Sequence, residues 1–348
     1  MKHRVFFLCP NNKFISGGVR QIFHQAEILN KKGIEAYVLL NKETKQCWFQ
    51  SQAHIAYSPY LFKQLHYAIR KKKLKLISKL KLNYLKQKGI RIKQSDVLVT
   101  PEIYGGHINK LFPNNPVVIF NQNCYYTLNT YDETKSDTPL PYQQSNTLGT
   151  IVVSDDSLAY LNYVFPMARV YRIHIGIQAT FFHDYPNKKK QICYMPRKLN
   201  EDIAQIIYIL KQHDVLHDWQ LIPIENKTEE EVAQIMKESI FFLSFNYREG
   251  FGLPPAEAMA CGCYVIGYHG EAGREYFKPE FSTVVENRDI ITYTKKVEEL
   301  IAIYNQTPKL IIEKGRKAAA FIAANYSMEQ QEAETIRIWE QLLKIAKE

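Results

Sequence analysis

Val5-Phe6-Phe7-Leu8 is a short apolar run, followed after the polar, glycine-bearing stretch Asn11–Gly18 by apolar residues at Val19, Ile22, Phe23, Ala26 and Leu29. Steps of three and four residues place that second set on one face of a helix, over Val19–Lys32. Gly33 stands where a helix C-terminus favours glycine, and Ala36–Leu40 is another apolar run. Strand, loop, helix, glycine and strand make a βαβ unit, whose two strands must lie parallel in one sheet. The first forty residues thus commit the chain to the α/β class.

The pattern repeats. Asp96–Thr100, Val117–Phe120 and Thr150–Val153 read as buried strands, with a helix over Asp156–Tyr163. Thr130–Asn146 is polar, holds Pro139 and Pro141, and reads as a mobile loop. A second series then begins, with strands at Val170–His174, Gln191–Met195, Gln220–Ile224, Phe241–Phe245 and Tyr264–Gly267. Helices are expected at Asp202–Gln212 and at Pro255–Ala260, the latter closed by Gly262, and Thr228–Glu231 has capping-box spacing. A last helix opens on a similar box at Ser327–Gln330 and carries a stripe of Ile336, Trp339, Leu342 and Leu343. Two such series predict two Rossmann-like, doubly wound parallel-sheet domains facing a central cleft. The expected bounds are 1–168 and 169–326, with a helix over 327–348 crossing back to the first domain.

The 348 residues suffice for two cores, and no run reaches the roughly 18 apolar residues of a membrane span. The apolar run Val5–Cys9 is shorter than a signal peptide's core and is read as a buried strand. Cys9, Cys47, Cys124, Cys193, Cys261 and Cys263 show neither a C-x-x-C pair nor zinc spacing. They are read as small core residues in a reducing, cytoplasmic setting. The net charge of +10 is local: Leu61–Ser95 holds twelve Lys or Arg and no Asp or Glu. Taking those twelve from the 45 basic residues leaves 33 against 35 acidic ones. Leu65, Ile69, Leu76, Leu80 and Leu85 among these lysines make Leu61–Lys93 one or two basic amphipathic helices. They suit either an anionic membrane surface, which would put the protein peripherally on its inner face, or a solvated helix packed on its own sheet. Tyr67 and Tyr84 are too few for a single-strand nucleic-acid platform, so no nucleic-acid partner is expected.

Chemistry is concentrated in residues 249–262, Glu-Gly-Phe-Gly-Leu-Pro-Pro-Ala-Glu-Ala-Met-Ala-Cys-Gly. Glu249 follows a strand, where open parallel sheets bind ligands. Gly250 and Gly252 allow close backbone approach, and Pro254 and Pro255 start a helix whose free N–H groups suit a diphosphate. Glu257 is expected in that helix's first turn, either holding a ribose or only complementing the helix dipole.

This run resembles the signature of family 4 glycosyltransferases of the GT-B fold, in which two glutamates are separated by seven residues. Ser16-Gly17-Gly18-Val19 is similar to that family's glycine loop, Val152-Val153-Ser154 to the strand closing its first domain, and Ile173–Ile177 to its linker. Met195-Pro196-Arg197-Lys198-Leu199 is similar to its Gly-Arg-Leu segment, and His269–Glu275 to its Gly-Gly-x-x-Glu loop. The resemblance implies a nucleoside-diphosphate sugar as co-substrate, with Arg197 and Lys198 neutralising the diphosphate. Glu249 would hold the donor sugar and Glu257 the ribose. The backbone of Gly250, Phe251, Gly252 and Leu253 would meet sugar and phosphate, with the base near Ile224. Gly17 and Gly18 would close on the phosphates. It further implies a retaining sugar transfer to a glycan or lipid-linked acceptor in bacterial surface polysaccharide, lipopolysaccharide or capsule synthesis. The family often has a His after the strand at Val117–Phe120; here Asn121, Gln122 and Asn123 stand there as acceptor-side residues. Glu102, near His107, is a further catalytic candidate, as an acceptor-side carboxylate or general base, or else a structural residue. No Asp-x-Asp occurs, so no metal is implied. A non-catalytic GT-B relative that binds nucleotide sugar or glycan as a partner subunit, and a sugar-nucleotide epimerase, stay open as alternatives.

Overall fold

The computed structural model describes residues 3–10, 16–43, 49–70, 76–131, 140–182 and 188–347. The chain forms two compact units. The first is Met1–Val153, Ser157–Ile173 and Glu332–Glu348; the second is Ser154–Asp156 and His174–Gln331.

In the first unit β1 (Val5–Leu8), α1 (Gly17–Lys31) and β2 (Ala36–Leu40) form the opening βαβ unit, with β1 and β2 parallel and Val5 opposite Ala36. Then come β3 (Ile55–Tyr57), α2 (Pro59–Ile69), α3 (Leu76–Lys86), β4 (Val97–Pro101), α4 (His107–Leu111), β5 (Val117–Asn121), β6 (Thr147–Val152), α5 (Asp155–Val164) and β7 (Val170–Arg172). Among the described residues these strands make one parallel sheet, ordered β3-β2-β1-β4-β5-β6-β7. All four residues of β1 are buried, as expected of a parallel strand covered on both faces, which is why it reads as an unbroken apolar run. Phe6, Leu8, Leu39 and Leu98 pack with Leu61 and Leu65 of α2 and Ile108 of α4. Each such buried side chain contributes roughly 1.5–3 kcal/mol.

The second unit contains β8 (Lys189–Tyr194), α6 (Asn200–Gln212), β9 (Gln220–Pro223), α7 (Glu229–Glu238), β10 (Ser239–Glu249), α8 (Leu253–Ala260), β11 (Tyr264–Glu271), β12 (Ser282–Val284), α9 (Ile290–Gln306) and α10 (Pro308–Asn325). Its parallel sheet is ordered β12-β11-β10-β8-β9. The core includes Trp219, Phe241, Phe245, Tyr268 and Tyr293, with Phe245 and Tyr293 stacked at 5.1 Å. Thr228 and Glu231 form the expected capping box at the head of α7. The final helix, α11 (Met328–Ile345), spans the last boundary; its Trp339 is fully buried and edge-on to Phe7 at 5.6 Å.

Several expectations change. Val170–Arg172 pairs with β6, so this strand is the edge of the first sheet and does not open the second series. The first boundary accordingly falls after Ile173, not at 168. The loop expected over Thr130–Asn146 lies partly outside the described residues, at 132–139, and its remainder is anchored. Tyr142 is buried, stacked on Phe165 at 4.6 Å. The buried face of α11 is Gln331, Thr335, Ile338, Trp339 and Leu342, with Ile336 and Leu343 only half-buried. The five cysteines among the described residues are free and buried; Cys47 lies outside them. No described helix is long and apolar enough to cross a membrane.

The basic stretch is split by residues 71–75, which are outside the described set. Leu65 of α2 faces the core, which removes it from the expected surface stripe. In α3, Leu82 is buried, whereas Leu80 and Tyr84 are 63% and 58% exposed and share a face four residues apart. The side chain of Leu76 is outside the described set.

Candidate active site

Each sheet has one place where the chain order reverses. In the second sheet β8 leads outward to β9, and the chain then returns to lay β10 on the other side of β8. Loops leaving the carboxyl ends of β8 and β10 therefore diverge, and the gap between them is where an open parallel sheet binds its ligand. A shallow, open pocket lies there, lined by Met195, Arg197, Lys198, Phe242, Leu243, Phe245, Asn246, Glu249 and Pro254. Arg197 and Lys198 come from the end of β8, and Asn246 and Glu249 from the end of β10.

Lys198 Nζ donates to Glu249 Oε1 at 2.6 Å. The two residues that the sequence assigned to separate parts of a ligand thus hold each other. Glu249 is also not in a loop: β10 continues past Phe245 to Glu249, staying paired with β11 across a register shift between Asn246 and Glu249. Arg197 is exposed at the strand end. Leu199, with φ +49, turns the chain into α6.

The helix beyond the pocket differs from expectation in two ways. It begins at Leu253, so Glu257 falls in its second turn and is half-buried. Pro254 and Pro255, at its second and third positions, have no N–H to offer. Of the first three residues of α8, only Leu253 can donate from its backbone, so the helix gives a dipole but few donors, and the cations lining the pocket are Arg197 and Lys198. Gly252 caps the helix at φ +83. Tyr276, fully buried, donates its hydroxyl to the carbonyls of Phe251 (2.9 Å) and Gly252 (2.7 Å), fixing this turn. Burial holds the Tyr276 phenol well above its ordinary pKa, so it stays a donor. The ring of Phe251 is buried against Tyr276. Gly250 is buried.

Asn246 was missed by sequence reasoning. It is 8% exposed, lines the pocket, and its Nδ2 has no hydrogen-bond partner. A buried amide donor left unpaired costs about 1–3 kcal/mol, which a ligand acceptor recovers. An Asn closing the apolar run Ser239–Phe245 was the available signal. Ile224 is buried and its N–H bonds the Tyr194 carbonyl at 2.8 Å, so it continues the β9 edge. The segment His269–Glu275, expected as an anion nest, is the tied end of β11 followed by a 3₁₀ turn. Glu271 pairs with Arg274, and Glu271 N–H donates to His269 Nδ1 at 2.9 Å. Burial lowers the His269 pKa, keeping that nitrogen an acceptor.

In the first sheet the order reverses between β1 and β4. Gly17 and Gly18 are the first two residues of α1, not part of a loop. Glu102 follows β4 and is buried at 6% exposure. Gln122, after β5, bonds the Gly18 carbonyl through Nε2 at 3.1 Å. The three amides expected to face an acceptor divide. Asn121 is wholly buried and spends its Nδ2 on Thr127 (2.9 Å) and Tyr142 (2.8 Å). Asn123 caps a 3₁₀ turn by accepting from the Tyr125 N–H at 3.0 Å. These two hold the loop, and Gln122 alone of the three is half-open to solvent. No cluster of three metal-ligating side chains occurs among the described residues.

Residues 205–318 match the family described as Glycosyl transferases group 1. The chain is 28% identical over 193 residues to an alpha-1,6-glucosyltransferase of Actinobacillus pleuropneumoniae, covering 52% of this chain and 55% of that protein. The chain thus spans about half the length of this curated relative. Among solved structures it is similar to a TarM mutant of S. aureus in complex with fondaparinux, alpha-GlcNAc-glycerol and UDP. The TM-score is 0.66, at 12% identity over the whole of both chains. It is similar at TM-score 0.66 and 13% identity to sucrose-phosphate synthase from Thermosynechococcus elongatus, over 98% of this chain and 100% of that one. With its two reversing parallel sheets, the chain has the GT-B fold, and its second unit carries the segment shared with glycosyl transferases group 1.

Proposed function

We propose that this protein is a glycosyltransferase that moves a hexose from a nucleoside-diphosphate donor to a glycan or lipid-linked acceptor. The observation that carries the reading is the pocket at the β8–β10 reversal, where Arg197, the Lys198–Glu249 pair and the unpaired Asn246 amide converge. A diphosphate leaving group gains charge as the sugar departs, and fixed cations stabilise that charge. Donor entry turns Lys198 from Glu249 toward the diphosphate and frees the Glu249 carboxylate for sugar hydroxyls. The half-buried Glu257 then holds the ribose. In this reading Arg197 and Lys198 supply the positive charge that meets the diphosphate, and no metal is invoked. UDP in the TarM complex and the name of the Actinobacillus relative support UDP-glucose as the first donor to try. Retention of configuration and a role in bacterial surface glycan synthesis complete the reading.

Arg197→Ala is expected to weaken UDP binding about tenfold, as lost charge-assisted hydrogen bonds do. Titration calorimetry reads this directly, and an affinity within twofold of wild type removes Arg197 from the site.

A second element of the reading is the membrane. Leu80 and Tyr84 are exposed on α3 beside Lys79, Lys81, Lys86 and Lys88, and Lys88 lies over the Tyr84 ring at 4.6 Å. Apolar side chains ringed by like-signed cations complement an anionic bilayer, with roughly 1 kcal/mol per basic residue near the surface. The protein is expected to float with phosphatidylglycerol-containing vesicles and to release at high salt. Leu80→Glu with Tyr84→Glu should abolish flotation, as should charge reversal at Lys71–Lys73; flotation that survives both changes rules out this surface.

A further inference from the structure

Glu102 is a buried carboxyl that the donor chemistry does not use. It stands at the carboxyl end of β4, beside the reversal point of the first sheet, where that sheet's own ligand surface is expected. Its Oε2 accepts the backbone N–H of Gln122 at 3.1 Å. Gln122 in turn spans to α1, donating Nε2 to the Gly18 carbonyl at 3.1 Å. At Gly18 the fit is close: a Cβ there would lie 3.2 Å from Gln122 Oε1. Three segments, the ends of β4 and β5 and the head of α1, are thereby joined through one carboxylate and one amide.

We propose that Glu102 is a positioning residue. Its carboxylate, through the Gln122 backbone, fixes the Gln122 side chain against the glycine pair at the head of α1 and so shapes the acceptor-side surface of the first unit. This inference rests on the glycosyltransferase reading for its consequence, but not for its geometry. Asn121 and Asn123 hold the same loop from within, which leaves Gln122 as the member a substrate can meet.

The relay is sensitive to protonation. Burial pushes the Glu102 carboxyl up to about 7, against an ordinary 4.5, while the backbone N–H groups of Gln122, Glu102 and Asn123 pull it partly back. The ionised form is the stronger acceptor. The Gln122 N–H is therefore gripped above about pH 7 and loosened below it. Stability runs the opposite way. Between pH 4.5 and about 7 the folded chain holds a proton that an unfolded chain has lost. Stability from this group therefore falls as pH rises through that window. Tyr142 interacts with Glu102 and with Cys124, and Tyr104, in the same 3₁₀ turn as Glu102, interacts with Cys9. Burial raises Cys9 to about 12 and lifts Tyr104 and Tyr142 as well, so these three do not change charge near neutrality.

Two measurements on the full chain decide this. In the first, the Gln122 backbone amide resonance is followed across neutral pH in wild type and in Glu102→Gln. The expected result is a titration centred near 7 that vanishes in the variant. A flat wild-type resonance, or a titration that persists in Glu102→Gln and so belongs to another group, overturns the relay. In the second, release of UDP from UDP-glucose is measured against pH, with UDP affinity alongside. Glu102→Gln should lower turnover about five- to tenfold and flatten its rise through neutrality, with UDP affinity within twofold of wild type. Turnover within twofold of wild type at every pH removes the catalytic consequence. If wild type binds UDP yet turns over nothing, the transferase reading fails, and the amide titration still decides the relay.

Discussion

Glu249→Ala is expected to lower sugar transfer by about 10²–10³-fold, the usual cost of removing one polar group that acts on the transition state. The structure sharpens what else should change. Lys198 Nζ is held by Glu249 at 2.6 Å, so the variant releases a cation into the pocket. UDP affinity should then stay level or rise while transfer collapses, and that split separates a catalytic loss from a damaged site. Glu249→Gln keeps hydrogen-bonding capacity without the charge and should fall between the two. Steady-state turnover with UDP-glucose and calorimetry with UDP provide both numbers. Transfer within a factor of two of wild type in the alanine variant is the contrary result.

Gly252→Val is the second large effect. At φ +83 a β-branched residue is strained, by roughly 1–2 kcal/mol. The added Cβ would also lie 2.6 Å from Asn246 Nδ2 and 2.8 Å from Tyr276 Oη. Tyr276 cannot retreat, because it is fully buried, and displacing its hydroxyl from the Phe251 and Gly252 carbonyls leaves a buried donor unpaired, at about 1–3 kcal/mol. The turn that sets the head of α8 must shift. A loss near 2.7 kcal/mol in binding corresponds to about a hundredfold weaker UDP. The first unit should keep its structure, so the amide resonances of β1 and β4 are the internal control. UDP affinity unchanged in a folded Gly252→Val protein means that this turn does not touch the ligand.

The strands were legible because a parallel strand covered on both faces must be apolar throughout, as Val5–Leu8 and Val97–Val99 are. Their ends were not. β10 runs on through Asn246, Tyr247, Arg248 and Glu249, with Asn246 and Glu249 paired to β11 on either side of a register shift, so the hydrophobic pattern stops where the site begins. Sheet membership is equally non-local: nothing within Val170–Arg172 says that β6 is its partner. Polarity at a strand end was also ambiguous. Asn121 and Gln122 are neighbours of the same chemistry, yet Asn121 is the last, wholly buried residue of β5 and Gln122, just past the strand's end, is half-open. The two prolines at the head of α8 could have been read correctly from the sequence, since a missing N–H is a property of the residue itself. The Glu102–Gln122–Gly18 connection could not, because it joins positions more than a hundred residues apart through a side chain whose direction the chain order does not encode.

In the proposed reaction the second unit holds a nucleotide sugar and gives up its sugar. The most direct measurement follows a pool of radiolabelled UDP-, GDP-, ADP- and dTDP-sugars incubated with the pure protein and a glycan and lipid extract. One donor is expected to be consumed, UDP-glucose first among them, with label moving to the acceptor fraction and Glu249→Ala stopping the transfer. Every donor recovered intact from a protein that binds UDP would contradict it and favour a subunit that binds nucleotide sugar without transferring it; label moved to an isomeric nucleotide sugar with no acceptor present would contradict it in favour of an epimerase.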